Sequence, residues 1–172
     1  STIIGGGAGM PLSSLWLKAY DGNLTISNLY INVPPGAAMP AVADGLLESA
    51  GGNPLVVTVQ GDNCLSNNCS AAVFSWVPLT LTGPGSLTCA DLYTQWAPLQ
   101  SYMEDMVISN LANLVVICPN SSGATSIGQL GLGRLSIVDS TVTSRVTVES
   151  DCEFSVGAVR IENSRVDMSY GV

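Results

Sequence analysis

The chain has 172 residues, 5 basic and 13 acidic side chains and no histidine, so its formal net charge is −8. Charged residues make up 10% of the chain and apolar residues 47%, so a sizeable core is available and disorder is excluded. Five basic residues cannot neutralise a phosphate backbone, which excludes nucleic-acid binding, and the missing histidine excludes imidazole bases and ligands.

The length predicts a single domain over residues 1–172. No run of residues is long and apolar enough for a membrane helix, so the chain is not expected to span a membrane. Both ends begin or stop abruptly, which is typical of a piece of a longer repeat protein or of a mature processed form. Few charges and many Gly, Ser, Thr and Asn residues predict an all-β extracellular or cell-surface protein.

One short segment recurs along the chain as an alternating apolar strand followed by Asn, Asp or Gly. The copies span residues 23–28, 54–61, 78–83, 105–110, 134–139 and 158–163. Their first apolar residues are Leu24, Leu55, Leu79, Met106, Leu135 and Val159, separated by 31, 24, 27, 29 and 24 residues. A period of this length is typical of a solenoid.

Each copy ends on a residue that tolerates positive φ. We call these six positions, expected to form the same sharp turn in every rung, the corner column: Asn28, Gly61, Gly83, Asn110, Asp139 and Asn163. A second short strand follows most corners, at residues 29–31, 86–88, 114–117, 141–143 and 165–168. The pattern predicts an all-β, right-handed parallel β-helix of about six rungs. Residues 41–51 and 91–106 are expected to be inserted loops with at most a turn or two of helix.

The sequences PLVVTVQGDN at residues 54–63, PLTLTGPGSLT at 78–88 and LSIVDSTV at 135–142 carry a family resemblance. They resemble the pectate-lyase-like β-helix repeats of bacterial secreted and surface proteins, in particular those of carbohydrate-binding type. The resemblance covers most of residues 12–170 and implies the fold. Because enzymes, adhesins and binding modules share this architecture, it does not choose among their functions.

Exposed aromatic rings are the residue type that stacks on sugars. Tyr93 and Trp96 lie in the long segment after Cys89, and Tyr102 follows them, so these three are the candidate glycan-binding residues. Arg160, one of four arginines late in the chain, is the fourth candidate because arginine can bind an acidic glycan. A polysaccharide or cell-surface glycan is the expected partner.

Catalysis and metal binding have weaker support. Carboxylates on adjacent rungs could serve as acid and base if they lay at the right separation; the candidates are Glu104, Asp105, Asp139, Asp151, Glu153 and Glu162. No other residue in the sequence assigns a catalytic role to any of these carboxylates, so no catalytic residue is predicted. No metal-ligand spacing is present, and calcium at Asp21, Asp44 or Asp62 is the one cofactor left open.

The five cysteines leave at least one unpaired. Cys89 and Cys118 each end the second strand of consecutive rungs, where neighbouring strands lie about 4.8 Å apart. The sequence therefore predicts a Cys89–Cys118 disulfide, with Cys64–Cys69 as the local alternative.

Three functions follow from these observations. The first is a non-catalytic surface module with a structural, adhesive or glycan-binding role. The second is a polysaccharide lyase or hydrolase, and the third is a virion fibre or spike protein. Open strand edges at the ends of the coil also predict self-association.

Overall fold

The computed structural model describes residues 1–20, 22–37, 43–67, 70–91, 97–102, 104–118, 125–129, 133–146 and 152–170, which form nineteen β-strands and no helix. In chain order the strands are β1 (Thr2–Ile4), β2 (Leu17–Ala19), β3 (Asn23–Ser27), β4 (Tyr30–Asn32), β5 (Gly45–Ser49), β6 (Leu55–Gln60), β7 (Asp62–Asn67), β8 (Ala71–Ser75), β9 (Leu79–Thr82), β10 (Ser86–Asp91), β11 (Leu99–Ser101), β12 (Met106–Ser109), β13 (Asn113–Cys118), β14 (Thr125–Gln129), β15 (Arg134–Val138), β16 (Thr141–Val146), β17 (Cys152–Ser155), β18 (Ala158–Glu162) and β19 (Arg165–Tyr170).

The strands stack into three parallel sheets around one core. Sheet 1 has the order β1-β3-β6-β9-β12-β15-β18, sheet 2 the order β4-β7-β10-β13-β16-β19, and sheet 3 the order β2-β5-β8-β11-β14-β17. From β3 to β17 each turn contributes one strand to each sheet, which gives a β-solenoid of about five turns. This confirms the predicted solenoid, and the expected six rungs are close to the observed number.

Sheet 3 is the part of the fold that the sequence pattern did not predict. A turn was expected to contain two strands and a variable loop, but the loop regions supply a third strand, including β5 in 41–51 and β11 in 91–106. All five residues of β5 are buried, so this strand has no polar alternation to mark it. A short apolar run of this kind cannot be assigned to helix or strand from its period alone.

Alternation along sheets 1 and 2 forms the core. Leu24, Ile26, Leu81, Ile108 and Ile137 are at most 6% exposed, whereas the residues between them in each strand are partly exposed. Inward side chains of successive strands stack on one another, so each turn buries its neighbour's apolar row.

The register of the first repeat differs from the one expected. Leu24 pairs with Val57 rather than with Leu55, and Leu55 pairs with Leu79. Because Thr58 pairs with Thr82, strand β6 extends to Gln60, beyond the carboxyl end of β9 at Thr82. The residues that follow Thr82 are Gly83, Pro84 and Gly85. Proline has no N–H to donate, so the ladder cannot continue through Pro84.

All six residues of the corner column have positive φ, with values of 51° at Asn28, 63° at Gly61, 116° at Gly83, 55° at Asn110, 48° at Asp139 and 46° at Asn163. A Cβ on Gly61 would lie 2.4 Å from Asn28 Oδ1, and that oxygen accepts a hydrogen bond from the Asp62 N–H at 3.3 Å. The residue after a corner also bonds to the next turn: Leu111 N–H donates to Ser140 Oγ at 3.1 Å.

The predicted Cys89–Cys118 disulfide is wrong, because the two thiols are not bonded to each other. Cys89 pairs in register with Val116, and Cys118 pairs with Val146, so the cysteines are two residues out of register. This offset adds about 6.6 Å along the strand to the spacing of about 4.8 Å between strands. The resulting separation of about 8 Å exceeds the Cα distance of a disulfide. Cys64 carries a free thiol, and its alternative partner Cys69 lies outside the described residues.

Candidate functional site

A column of side chains crosses the face of sheet 3 that is turned away from the core. Lys18 pairs with Glu48, Glu48 with Phe74, and Phe74 with Gln100. The next column, which includes Leu47, belongs to the core, so strand alternation places Lys18 and its neighbours on the opposite face. Glu48, Phe74 and Gln100 are nevertheless at most 5% exposed, so this outer face is covered as well.

Three aromatic rings stack in sequence at the carboxyl ends of β8 and β11. The ring centroids of Phe74 and Trp76 are 5.0 Å apart at 65°, and those of Trp76 and Tyr102 are 4.9 Å apart at 50°. Phe74 is buried, whereas Trp76 is 46% and Tyr102 37% exposed. The buried ring anchors the two exposed ones, so Trp76 presents a fixed apolar surface to solvent.

The backbone holds this group rigidly. The Trp76 N–H donates to Ser49 Oγ at 2.8 Å, and the Tyr102 N–H donates to the Ser75 carbonyl at 2.7 Å. Trp76 directly follows the last residue of β8, and Tyr102 directly follows the last residue of β11. Because β8 and β11 are paired in sheet 3, the stacking of the turns brings the two side chains together. Residues 26 positions apart in the chain thereby share one surface.

Trp76 forms one wall of a shallow cavity of about 360 Å³. We call it the Trp76 cavity; it is lined by Lys18, Tyr20, Glu48, Ser49, Ala50, Gly51 and Trp76. Tyr20 is 65% exposed and forms a second aromatic wall. A Cβ on Gly51 would lie 2.3 Å from the Tyr20 carbonyl oxygen, so only glycine allows this close approach.

Among the described residues, the polar side chains that line the cavity are one ion pair and the hydroxyl groups of Tyr20 and Ser49. Lys18 Nζ lies 3.6 Å from Glu48 Oε2, with side chains 33% and 6% exposed. Glu48 Oε2 also accepts a hydrogen bond from the Asp44 N–H at 3.2 Å. The buried carboxylate is held in place, and the more exposed ammonium group can donate to a ligand. Aromatic walls with a few fixed polar groups are typical of small-ligand sites.

The predicted glycan-binding residues are not all at this site. Tyr102 belongs to the aromatic group, whereas Tyr93 and Trp96 lie outside the described residues. Arg160 lies on β18, in the last turn of sheet 1, and forms an ion pair with Glu162. No sequence motif connects Lys18, Tyr20 and Trp76, because only the register of sheet 3 brings these three residues together.

Three of the candidate carboxylates have a local structural role, and Asp151 lies outside the described residues. Asp105 Oδ1 accepts a hydrogen bond from the Arg134 N–H at 2.7 Å, Asp139 occupies a corner, and Glu162 pairs with Arg160. In the part of the chain that the structure describes, no three His, Cys, Asp or Glu side chains come close enough to hold a metal ion. Of the calcium candidates, Asp62 accepts a hydrogen bond from Tyr30, and Asp21 is outside the described residues.

A larger depression of about 750 Å³ lies at the last corners, where its lining includes Ser140, Asn163, Ser164 and Arg165. It is open, and none of the described residues that line it is aromatic, so it lacks the stacking surface that the smaller Trp76 cavity has.

The chain matches no protein-family model, no curated protein and no solved structure. Among the described residues, no helix has the length and hydropathy needed to span a membrane. The assignment of the fold as a parallel β-solenoid therefore rests on the structure alone.

Proposed function

We propose that this chain is an extracellular or cell-surface β-solenoid module that binds a glycan at the Trp76 cavity without catalysing a reaction. The observation that carries the proposal is the exposed pair of rings, Trp76 and Tyr102, anchored on buried Phe74 beside Tyr20 and the Lys18–Glu48 pair. Sugar rings have apolar C–H faces and hydroxyl edges, so they complement an aromatic surface bordered by fixed polar groups.

The lining favours binding over cleavage. Glycoside cleavage by the common route needs two carboxyl groups flanking the bond, and among the described residues Glu48 is the one carboxylate that lines the Trp76 cavity. Glu48 is also engaged by Lys18 and by the Asp44 N–H. The extracellular setting is supported by the low charge and by the resemblance to carbohydrate-binding solenoids of secreted and surface proteins.

The test is a glycan-array screen of the purified chain, followed by calorimetric titration of the glycans it retains. Trp76→Ala removes the central ring and is expected to weaken binding by about tenfold or more, the factor that corresponds to about 1.4 kcal/mol. Trp76→Phe keeps a stacking surface and is expected to retain most of the affinity.

Tyr30→Ala is the matched control, because it removes a partly exposed aromatic ring from sheet 2, away from the cavity. Circular dichroism of each variant checks that the coil is intact. Retention of no glycan, or equal affinity of Trp76→Ala and the parent chain, would contradict the proposed site. Release of reducing ends from a bound polysaccharide would contradict the non-catalytic role.

A further inference from the structure

Gln100 carries a buried hydrogen-bond acceptor that has no donor. The residue is 3% exposed, and within the described ranges nothing donates a hydrogen bond to its Oε1 atom. Buried polar side chains normally have a hydrogen-bond partner, because an unpaired group keeps the full penalty of leaving water. A bound water or a ligand can supply the missing donor, and the surroundings of Gln100 favour a ligand.

Gln100 lies beside the exposed rings of Trp76 and Tyr102. It pairs in register with Phe74 on the outer face of sheet 3, and it precedes Tyr102 by two residues. Phe74 stacks on Trp76, and Trp76 stacks on Tyr102. The four side chains thus form a block, in which the two exposed rings lie about 6.6 Å further along the strands than the two buried side chains. The edge of a sugar that stacks on Tyr102 is therefore within reach of the carboxamide.

The two neighbours of Gln100 in sheet 3 have no side-chain donor. Phe74 on one side has an apolar ring, and Gly128 on the other side has no side chain. At Gly128 the row of outward side chains is therefore interrupted, so the carboxamide has a packing neighbour in this row on one side only. A donor for Oε1 has to come from outside the row, and the exposed rings mark the side that faces solvent.

The charges around this block disfavour an anionic sugar. Lys18 and Glu48 lie 3.6 Å apart and neutralise each other. Glu104, which is exposed, follows Tyr102 by two residues, and the whole chain has a net charge of −8. A carboxylate has acceptors only, so it cannot donate to Gln100 Oε1, whereas a sugar hydroxyl is both donor and acceptor.

We propose that Gln100 determines the specificity of the glycan site, because its Oε1 atom accepts a hydrogen bond from a hydroxyl group of an uncharged sugar that stacks on Trp76 and Tyr102. This inference rests on the proposed glycan-binding function and adds the class of glycan, a neutral one. Reorientation of the exposed Tyr102 ring, a fast motion for an exposed side chain, admits the hydroxyl to the carboxamide. A uronic acid that places its carboxylate there sets acceptor against acceptor and is rejected.

This role has a consequence that separates it from a structural one. In the free chain the unpaired acceptor opposes folding, and replacement by an apolar residue of similar shape is neutral or stabilising. Gln100→Leu should therefore leave Tm unchanged or raise it, and should at the same time weaken glycan binding. A glutamine that merely supports the fold would give the opposite result, a lower Tm with unchanged affinity of the folded chain.

The test is calorimetric titration with neutral oligosaccharides of glucose, mannose and galactose, and with the same oligosaccharides after oxidation of their primary hydroxyl groups to carboxylates. The parent chain should bind a neutral form about tenfold or more tightly than its oxidised form, a comparison that needs no variant. Gln100→Leu should weaken binding of the neutral form by about tenfold. Gln60→Leu makes the same change at an exposed position of sheet 1 and should leave the affinity unchanged.

Monodeoxy analogues of the oligosaccharide that binds best identify the hydroxyl that donates to Gln100. One analogue should bind the parent chain about tenfold more weakly but should lose nothing further with Gln100→Leu, because both changes remove the same hydrogen bond.

The outcomes distinguish this inference from the function on which it rests. If Trp76→Ala weakens binding, the glycan site stands. The role of Gln100 is then overturned by tighter binding of the oxidised forms, by equal affinity of Gln100→Leu and the parent chain, by additive losses in the deoxy series, or by a lower Tm of Gln100→Leu. A parent chain that binds none of these oligosaccharides would overturn the role of Gln100, and one that retains no glycan on the array would overturn both.

Discussion

Substitution of Gly83 by alanine tests how tightly one corner packs on the previous turn. Gly83 has a φ of 116°, and a Cβ there would lie 2.5 Å from the Val59 carbonyl oxygen and 3.1 Å from its nitrogen. The backbone strain costs about 1–3 kcal/mol. Relief of the overlap requires a shift of sheet 1 backbone, which costs about 1–3 kcal/mol more. The free energy of unfolding should therefore fall by about 2–6 kcal/mol.

Two other glycines serve as controls for the two contributions. Gly36 has a φ of 78° but nothing within 4 Å of the position of a Cβ. Gly36→Ala should therefore lower the free energy of unfolding through backbone strain alone, by about 1–2 kcal/mol. Gly52 also has open space around it, and its φ is outside the left-handed region. Gly52→Ala should therefore be neutral or should stabilise by about 0.4–1 kcal/mol.

Guanidinium unfolding followed by both circular dichroism and tryptophan fluorescence measures these changes, since agreement between the two probes supports a single transition in a solenoid. A loss of 4 kcal/mol, near the middle of the range, would lower Tm by about 8–16 °C in a chain of this length. The expected order of stability is Gly52→Ala, then Gly36→Ala, then Gly83→Ala. Equal stability of Gly83→Ala and Gly52→Ala would refute the close approach of this corner to Val59.

Two further predictions concern titratable groups. Burial raises the pKa of the Cys89 thiol, so the thiol stays protonated and unreactive. Ellman's reagent at pH 8 should therefore leave Cys89 unmodified until the chain is unfolded. Labelling of Cys89 in the folded chain, or a peptide map that joins Cys89 to Cys118, would contradict the packing. The hydrogen bond to Asp62 raises the pKa of Tyr30 to about 12, so this interaction favours the folded state below pH 10 and is lost as the pH rises towards 12. Asp62→Asn should lower the pKa of Tyr30 in a 295 nm absorbance titration, and an unchanged titration curve would exclude the bond.

The corner residues and the alternating strands could be predicted from sequence because both depend on local chemistry. A sharp turn at positive φ favours Asn, Asp or Gly whatever surrounds it, and Asn28, Asn110 and Asp139 adopt that conformation. The inward residues of sheets 1 and 2 follow from a period of two, which any strand with one buried face must show.

The candidate site and the disulfide depend on register, which local chemistry leaves open. Cys89 and Cys118 occupy similar places in their repeats, but an offset of two residues separates them. Likewise Tyr20, Glu48 and Trp76 belong to different turns and share a cavity only because sheet 3 aligns Lys18 with Glu48 and Glu48 with Phe74.

The sequence by itself therefore determined that the chain coils into parallel sheets, where each turn changes direction, and which side chains of sheets 1 and 2 enter the core. The tertiary structure decided that each turn has a third strand, how far each turn is shifted against the next, and which exposed rings meet. The physical reason is that backbone conformation is set within a few residues, whereas strand register is set by packing between residues more than twenty positions apart.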